Sequence, residues 1–272
     1  MSQNRVACIQ MTSTADLSSN LLAAQKLIRN AAEQGAQLIV LPENFALMGA
    51  NKETKLKTRE TLGKGPIQNF LSKAAAEHHV WIIGGTIPIA VPGNEDKIFA
   101  SCLMFNDQGE RVAHYNKIHL FDVTLQATQE NYFESETIAP GDEVVVVPTP
   151  FGKIGLAICY DVRFPEMFRL MQKQGAEIFV LPSAFTYTTG AAHWDVLIRA
   201  RAIENLSFML AAGQVGQHDD KRKTYGHSMI VNPWGEIQIC LPESPGVVIS
   251  ELNMSFLNEV RKDFPVLTHR KI

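Results

Sequence analysis

Cys159 ends the apolar run Ile154-Gly155-Leu156-Ala157-Ile158-Cys159, and Asp161-Val162-Arg163-Phe164-Pro165-Glu166 then reads as the start of a helix. A cysteine at a strand-to-helix elbow is placed for nucleophilic chemistry. Asp161 is a candidate N-cap and Pro165 is tolerated in a first turn, so unpaired backbone N–H groups would point back at the sulfur. Such a helix end cannot activate the thiol alone. A free thiol titrates near about 8.5, lowering that by two pKa units takes roughly 2.7 kcal/mol, and a helix terminus supplies about 0.3–1 kcal/mol. A base or a cation must help, and without one Cys159 reads equally well as an inert buried thiol.

An internal echo supplies a candidate base. Gly35-Ala36-Gln37-Leu38-Ile39-Val40-Leu41-Pro42-Glu43-Asn44-Phe45 recurs as Gly175-Ala176-Glu177-Ile178-Phe179-Val180-Leu181-Pro182-Ser183-Ala184-Phe185, with Gly-Ala, Val-Leu-Pro and Phe at matching places. Each copy follows a strand and a helix, at residues 6–11 and about 19–34 in the first case and 153–160 and about 165–174 in the second. Two β-α-β units bring parallel strands to a common edge, and ligands of open α/β sheets gather at the carboxyl ends of such strands. Glu43 and Cys159 fall at such ends, one in each half, so a pseudo-twofold packing of the halves would bring a carboxylate to the thiol. The bland alternative is a Leu-Pro strand terminator with Glu43 in solvent.

Further strands are expected over residues 80–86, 98–106, 111–118, 144–147, 208–214, 226–232, 236–240 and 246–252, with helices over 67–78 and 192–205. Asn106-Asp107-Gln108-Gly109 and Asn232-Pro233-Trp234-Gly235 read as turns, and the polar stretches 51–59 and 218–223 as surface loops. This order fits two mixed sheets face to face with helices outside.

A chain of 272 residues, 46% of them hydrophobic, can bury one large core, and no linker or low-complexity tract divides it, so one domain spanning 1–272 is expected. A net charge of −3 offers no general attraction to phosphate backbones, and the one basic cluster, Lys221-Arg222-Lys223, follows two aspartates. Nucleic acid is therefore not an expected partner. The opening residues have no apolar h-region behind a basic flank and no apolar run reaches about 18 residues, so a cytoplasmic protein without a membrane partner is expected. Cys8, Cys102, Cys159 and Cys240 include no Cys-x-x-Cys pair and should be reduced thiols. No metal is expected: His-Glu-x-x-His is absent, and His78 and His79 should point to different faces of one helix. Gly63-Lys64-Gly65-Pro66 lacks phosphate-loop spacing, and no cofactor is expected.

Leu41-Pro42-Glu43, then Tyr115-Asn116-Lys117-Ile118-His119-Leu120-Phe121-Asp122, then Gly155-Leu156-Ala157-Ile158-Cys159-Tyr160-Asp161-Val162-Arg163-Phe164-Pro165-Glu166 resemble, in order, the three signatures of the nitrilase superfamily of carbon–nitrogen hydrolases. Ala192-His193-Trp194, Arg199-Ala200-Arg201-Ala202-Ile203-Glu204-Asn205, Tyr225-Gly226-His227-Ser228 and Asn232-Pro233-Trp234-Gly235 are most similar to its Nit branch. The resemblance implies a four-layer α-β-β-α sandwich of two mixed β-sheets and a homodimer or larger homo-oligomer, with residues about 255–272 as a tail at a subunit interface. It further implies a Glu-Lys-Cys triad that cleaves an amide through a cysteine thioester. In that scheme Cys159 is the nucleophile, Glu43 the base, and Lys117 and the backbone N–H of Tyr160 hold the oxyanion. Without the resemblance Lys117 would read as a solvated charge.

Glu134 aligns with the family's second glutamate by its place between lysine and cysteine, although Glu136 stands two residues away. Arg163 and His193 are candidates either for substrate binding or for holding the elbow and its facing loop. The implied substrate is a small carboxylate-bearing amide, deaminated glutathione first. Alternatives are ω-amidase action on α-ketoglutaramate, a carbamoylase or nitrilase, and, outside enzymes, an idle binding or assembly module.

Overall fold

Alternating burial along the first strand sets the layers. In the computed structural model, which describes residues 4–49, 51–125 and 130–271, β1 (Arg5–Gln10) runs parallel to β2 (Leu38–Val40), and α1 (Leu17–Glu33) crosses between them. Val6 and Cys8 pack toward a second sheet, while Ala7 and Ile9 pack outward with Ala24, Ile28 and Ala31 of α1. Those three positions lie on one helical stripe, and Asp16 starts the helix by accepting the Ser19 N–H. After α2 (Lys52–Lys57) and α3 (Pro66–His78), β3 (Trp81–Ile83) continues the parallel set, and β4 (Ile87–Val91), β5 (Asn94–Phe105) and β6 (Arg111–Asn116) extend it antiparallel.

A hairpin of β7 (Asp122–Leu125) and β8 (Glu130–Phe133) leads into the second half. There β9 (Val146–Thr149) flanks β10 (Gly152–Leu156), α4 (Pro165–Lys173) crosses to parallel β11 (Ile178–Ser183), and α5 (Tyr187–Asn205) crosses to parallel β12 (Phe208–Gly213). The ribbon of β13 (Val215–Gln217) and β14 (Lys223–Tyr225) precedes β15 (Ser228–Val231) and β16 (Ile237–Leu241), which complete the second sheet. The chain then returns as β17 (Gly246–Glu251) to pair with β1, and α6 (Met254–Asp263) follows. Helices α1 and α3 cover one sheet and α4 and α5 the other, giving the α-β-β-α sandwich. The halves are joined where the parallel strands end: Val215 N–H donates to the Met11 carbonyl at 2.8 Å.

Several local expectations are corrected. The strand expected over 80–86 ends at Ile83 as β3, and Gly84-Gly85 turn the chain ahead of β4, because Gly85 takes φ +55° and passes so close to Pro42 that a Cβ would lie 2.0 Å from its carbonyl oxygen. The strand expected over 153–160 ends at Leu156, and a 3₁₀ turn, Cys159–Arg163, separates the cysteine from α4. Phe164, not Asp161, occupies the N-cap position of α4, since the Asp161 carboxylate turns inward. The start of α4 is thus removed from the sulfur. The polar stretch 51–59 is not a loop, because Asn51 accepts the Thr54 N–H and starts α2. His79 terminates α3 at φ 51° rather than sharing the helix with His78. The expected tail is not among these corrections: within it residues 254–263 form α6, from which Arg261 donates to the carbonyls of Leu206 and Ala176.

Candidate active site

Lys117 follows β6 directly and is 1% exposed. Its Nζ donates to Glu43 Oε1 at 2.9 Å and to Glu134 Oε1 and Oε2 at 2.9 and 2.8 Å. The second oxygen of Glu43 accepts the N–H of Ala184 at 2.8 Å, beyond the end of β11, so the echo's two copies meet at this carboxylate. Glu134, in the 3₁₀ turn after β8, also accepts the Phe121 N–H at 2.7 Å, whereas Glu136 is exposed. Burial disfavours the Lys117 ammonium, but the Glu134 and Glu43 carboxylates outweigh it and hold its pKa well above the usual lysine range. Burial opposes ionisation of Glu134 as well, and there the Lys117 charge and hydrogen bond and the Phe121 N–H win, bringing that pKa down.

Cys159 shares this pocket and sits at φ +45°, a left-handed conformation that costs an L-residue roughly 1–2 kcal/mol. Burial first, and then the Glu43 carboxylate, push its thiol well above the usual cysteine range, and Lys117 pulling downward does not compensate. The sulfur therefore rests as a thiol. What holds the elbow is Asp161, fully buried, whose Oδ2 accepts the Ile158 N–H at 2.8 Å and the Tyr115 hydroxyl at 2.7 Å. Its Oδ1 accepts the His119 N–H at 3.1 Å and lies 2.7 Å from His119 Nδ1, while the His119 ring stacks on Phe164 at 3.7 Å. Asp161 thus fastens the Cys159 turn to the segment 115–119 that carries Lys117. Sequence reasoning missed this role, since an aspartate just ahead of a helix looks the same whether it caps or faces inward.

These groups open into a cavity of about 300 Å³. Tyr160 lines it beside Cys159, as does half-buried Arg163, whose guanidinium lies over the Tyr160 and Phe185 rings. His193, on the exposed face of α5, is not among the lining residues and, among the described residues, meets the site through Arg163, its Nδ1 lying 3.2 Å from Arg163 Nη1. Sequence reasoning missed two further cations on the walls. Lys55 comes from α2, and Arg222 from the turn before β14, where its guanidinium covers the Tyr132 ring and donates to the Ala184 carbonyl at 2.9 Å. Both lie in the polar stretches read as surface loops. A signal existed at Asp219: its Oδ1 accepts the N–H groups of Lys221 and Arg222, fixing the turn that delivers Arg222.

Among the described residues, no group of three or more His, Cys, Asp or Glu side chains is arranged to hold a metal ion, and no helix is long and apolar enough to cross a membrane.

A buried cysteine on a left-handed elbow, with a carboxylate and an ammonium where two sheets of an α-β-β-α sandwich meet, defines a nitrilase-type hydrolase. The chain belongs to the carbon-nitrogen hydrolase family, whose sequence profile matches residues 5–262, and is accordingly an amidase-type hydrolase of carbon–nitrogen bonds other than peptide bonds. It is 42% identical over 266 residues to the deaminated glutathione amidase of Synechocystis sp., covering 97% of each chain. Two solved structures share the fold along the whole chain. The C. elegans NitFhit protein superposes with a TM-score of 0.92 at 37% identity, this chain spanning 66% of that one. Saccharomyces cerevisiae Nit3, a member of branch 10 of the nitrilase superfamily, gives 0.89 at 31% identity, with 98% of its chain covered.

Proposed function

We propose that the chain hydrolyses the amide of deaminated glutathione through a Cys159 thioester. Glu43 takes the thiol proton as sulfur attacks the amide carbonyl. The oxyanion forms against Lys117 Nζ and the Tyr160 N–H. On collapse the C–N bond breaks, the amine leaves with the proton that Glu43 returns, and an acyl-thioester remains. Glu43 then takes a proton from water as its oxygen attacks the thioester, and sulfur departs and regains that proton, freeing the acid. The observation that carries this reading is Lys117 Nζ held within 2.9 Å of both Glu43 and Glu134 in the pocket that contains Cys159. The substrate assignment is supported by the activity named for the Synechocystis relative and by the three cavity cations besides Lys117, which suit a carboxylate-bearing amide.

The test compares kcat/KM on deaminated glutathione, α-ketoglutaramate, glutamine and a simple nitrile, with Cys159→Ala as the blank. Deaminated glutathione should lead, and equal rates on all four, or a preference for another, would overturn the substrate assignment. We also propose a cytoplasmic homo-oligomer. Val196 and Ile203 of α5 are exposed apolar side chains, as are Trp234 and Phe264, whose rings meet edge-on at 5.7 Å. Light scattering of the wild type and of Val196→Glu should report a dimer or larger species that the charge weakens, and a wild-type monomer would reject the assembly.

A further inference from the structure

Lys117 has two acidic partners, yet the other cavity cations have none. Among the described residues, Lys55, Arg163 and Arg222 form no ion pair. Arg163 is held on its own wall by His193 and two aromatic faces. Lys55 and Arg222 line the same cavity, and the charges of Arg222, Glu134, Glu43 and Lys117 are all felt at Lys55. Two like charges facing one space repel, and an anion entering between or beside them would relieve that repulsion.

The carboxylates nearby act on the two cations only at longer range, and among the described residues none is in an ion pair with Lys55 or Arg222. Asp219 lines the same cavity, but its Oδ1 is engaged by the N–H groups of Lys221 and Arg222, and it forms no ion pair with either cation. Arg222 uses Nη2 on the Ala184 carbonyl and keeps Nε buried without a hydrogen-bond partner. Lys55 also borders a second, small cavity of about 20 Å³ that Ile87, Pro88 and Ile98 help to line. Burial draws the Lys55 ammonium below the usual lysine range, the cost that an incoming carboxylate would relieve.

We infer that Lys55 and Arg222 form a subsite for a substrate carboxylate, and that this pair makes the cavity select acids over neutral amides. The assignment rests on the amidase reading for its substrate, but not for the subsite itself. A guanidinium and an ammonium together offer the several N–H donors that a carboxylate needs once it leaves water.

The experiment measures kcat/KM on deaminated glutathione and on its two monomethyl esters, for wild type, Lys55→Met, Arg222→Met and the charge-keeping Lys55→Arg. In wild type, esterifying the carboxylate held by this pair should lower kcat/KM by about tenfold or more. The same esterification should matter little to Lys55→Met and Arg222→Met, while Lys55→Arg should restore much of the discrimination. Because the readout is a ratio within each protein, a merely structural loss would not move it. Calorimetric binding of deaminated glutathione to Cys159→Ala, with and without Lys55→Met, gives an answer free of turnover, and Kd should rise about tenfold or more. If wild type hydrolyses none of the amides, the amidase reading falls and calorimetry still decides the subsite. Equal ester ratios in all four proteins, an unchanged Kd, or no binding to Cys159→Ala overturns the subsite.

Discussion

Replacing Asp161 by asparagine tests the claim that this side chain sets the elbow. The carboxylate meets donors on both oxygens: Ile158 N–H and Tyr115 Oη on one, His119 N–H and Nδ1 on the other. An asparagine keeps one oxygen and turns an NH₂ toward the remaining pair. If that NH₂ faces Ile158 and Tyr115, the hydroxyl can rotate and accept, but the Ile158 N–H is left buried and unsatisfied. Such a donor costs about 1–3 kcal/mol, and converting charge-assisted hydrogen bonds to neutral ones costs about 1 kcal/mol more each. A loss of about 3 kcal/mol in unfolding free energy follows, readable as a lower urea midpoint at unchanged slope. Catalysis should suffer separately, because the Asp161 bonds to Ile158 and Tyr115 brace the turn in which Cys159 sits at φ +45°. A relaxed elbow moves the sulfur, and a displacement of about 1 Å costs roughly 10² in rate. Turnover measured well below the unfolding transition should therefore fall about a hundredfold, mainly in kcat. Tyr115→Phe removes one donor to the same oxygen, so the double variant should show coupling of about 0.5 kcal/mol or more. An Asp161→Asn protein within about 0.5 kcal/mol of wild type and with kcat within about twofold would refute the role assigned to Asp161.

Three further outcomes are expected. Burial and then the Glu43 carboxylate raise the Cys159 thiol, so Glu43→Gln should lower the pH at which a small neutral reagent alkylates it; an unchanged or higher midpoint contradicts this electrostatic assignment. His218 is held below its ordinary pKa chiefly by burial, with Nδ1 2.7 Å from the Ser13 carbonyl and Nε2 2.6 Å from Thr224 Oγ1. The unfolded chain then takes the proton first, so its contribution to stability is intact above about pH 6.5 and is lost as pH falls through the lower folded value. Urea midpoints should fall with acidification more steeply in wild type than in His218→Gln, and parallel slopes would count against this. Gly85→Ala combines φ +55° with a Cβ placed 2.0 Å from the Pro42 carbonyl oxygen, beside Glu43. It should cost about 2–4 kcal/mol in a urea titration, and near-wild-type stability would show that the Pro42 segment gives way freely.

The parts of this molecule that were legible from sequence are those whose residue types admit few environments. Leu38-Ile39-Val40 and Ile178-Phe179-Val180 are buried on both faces, so uninterrupted apolar runs announced parallel strands and the echo placed Glu43 at their ends. Glu134 was separable from Glu136 only in space, because three-dimensional position decides which carboxylate reaches Lys117. Lys55 and Arg222 were hidden for the opposite reason. A lysine in Asn51-Lys52-Glu53-Thr54-Lys55 and an arginine between two lysines carry the composition of solvated surface, and only the packing of α2 and of the turn before β14 directs them inward. The elbow was misread because a short 3₁₀ turn and a helical first turn favour the same residues.

The misreading matters for mechanism. With α4 beginning at Pro165, the helix end that was to favour a thiolate is not at the sulfur, and burial pushes the thiol upward instead. Activation on the proposed pathway therefore falls to proton transfer to Glu43 during attack. That transfer would strip Lys117 of a charged partner if Glu43 were its only one, at the moment when its ammonium must face a developing oxyanion. On that pathway Glu134 would resolve the conflict: its two oxygens, at 2.9 and 2.8 Å from Lys117 Nζ, would keep the ammonium paired while Glu43 gains and loses its proton. The Phe121 N–H fixes Glu134 in turn, so the ammonium need not move between steps. Two carboxylates on one lysine, which would be redundant for structure alone, would on that pathway let one change protonation state while the other holds the charge in place.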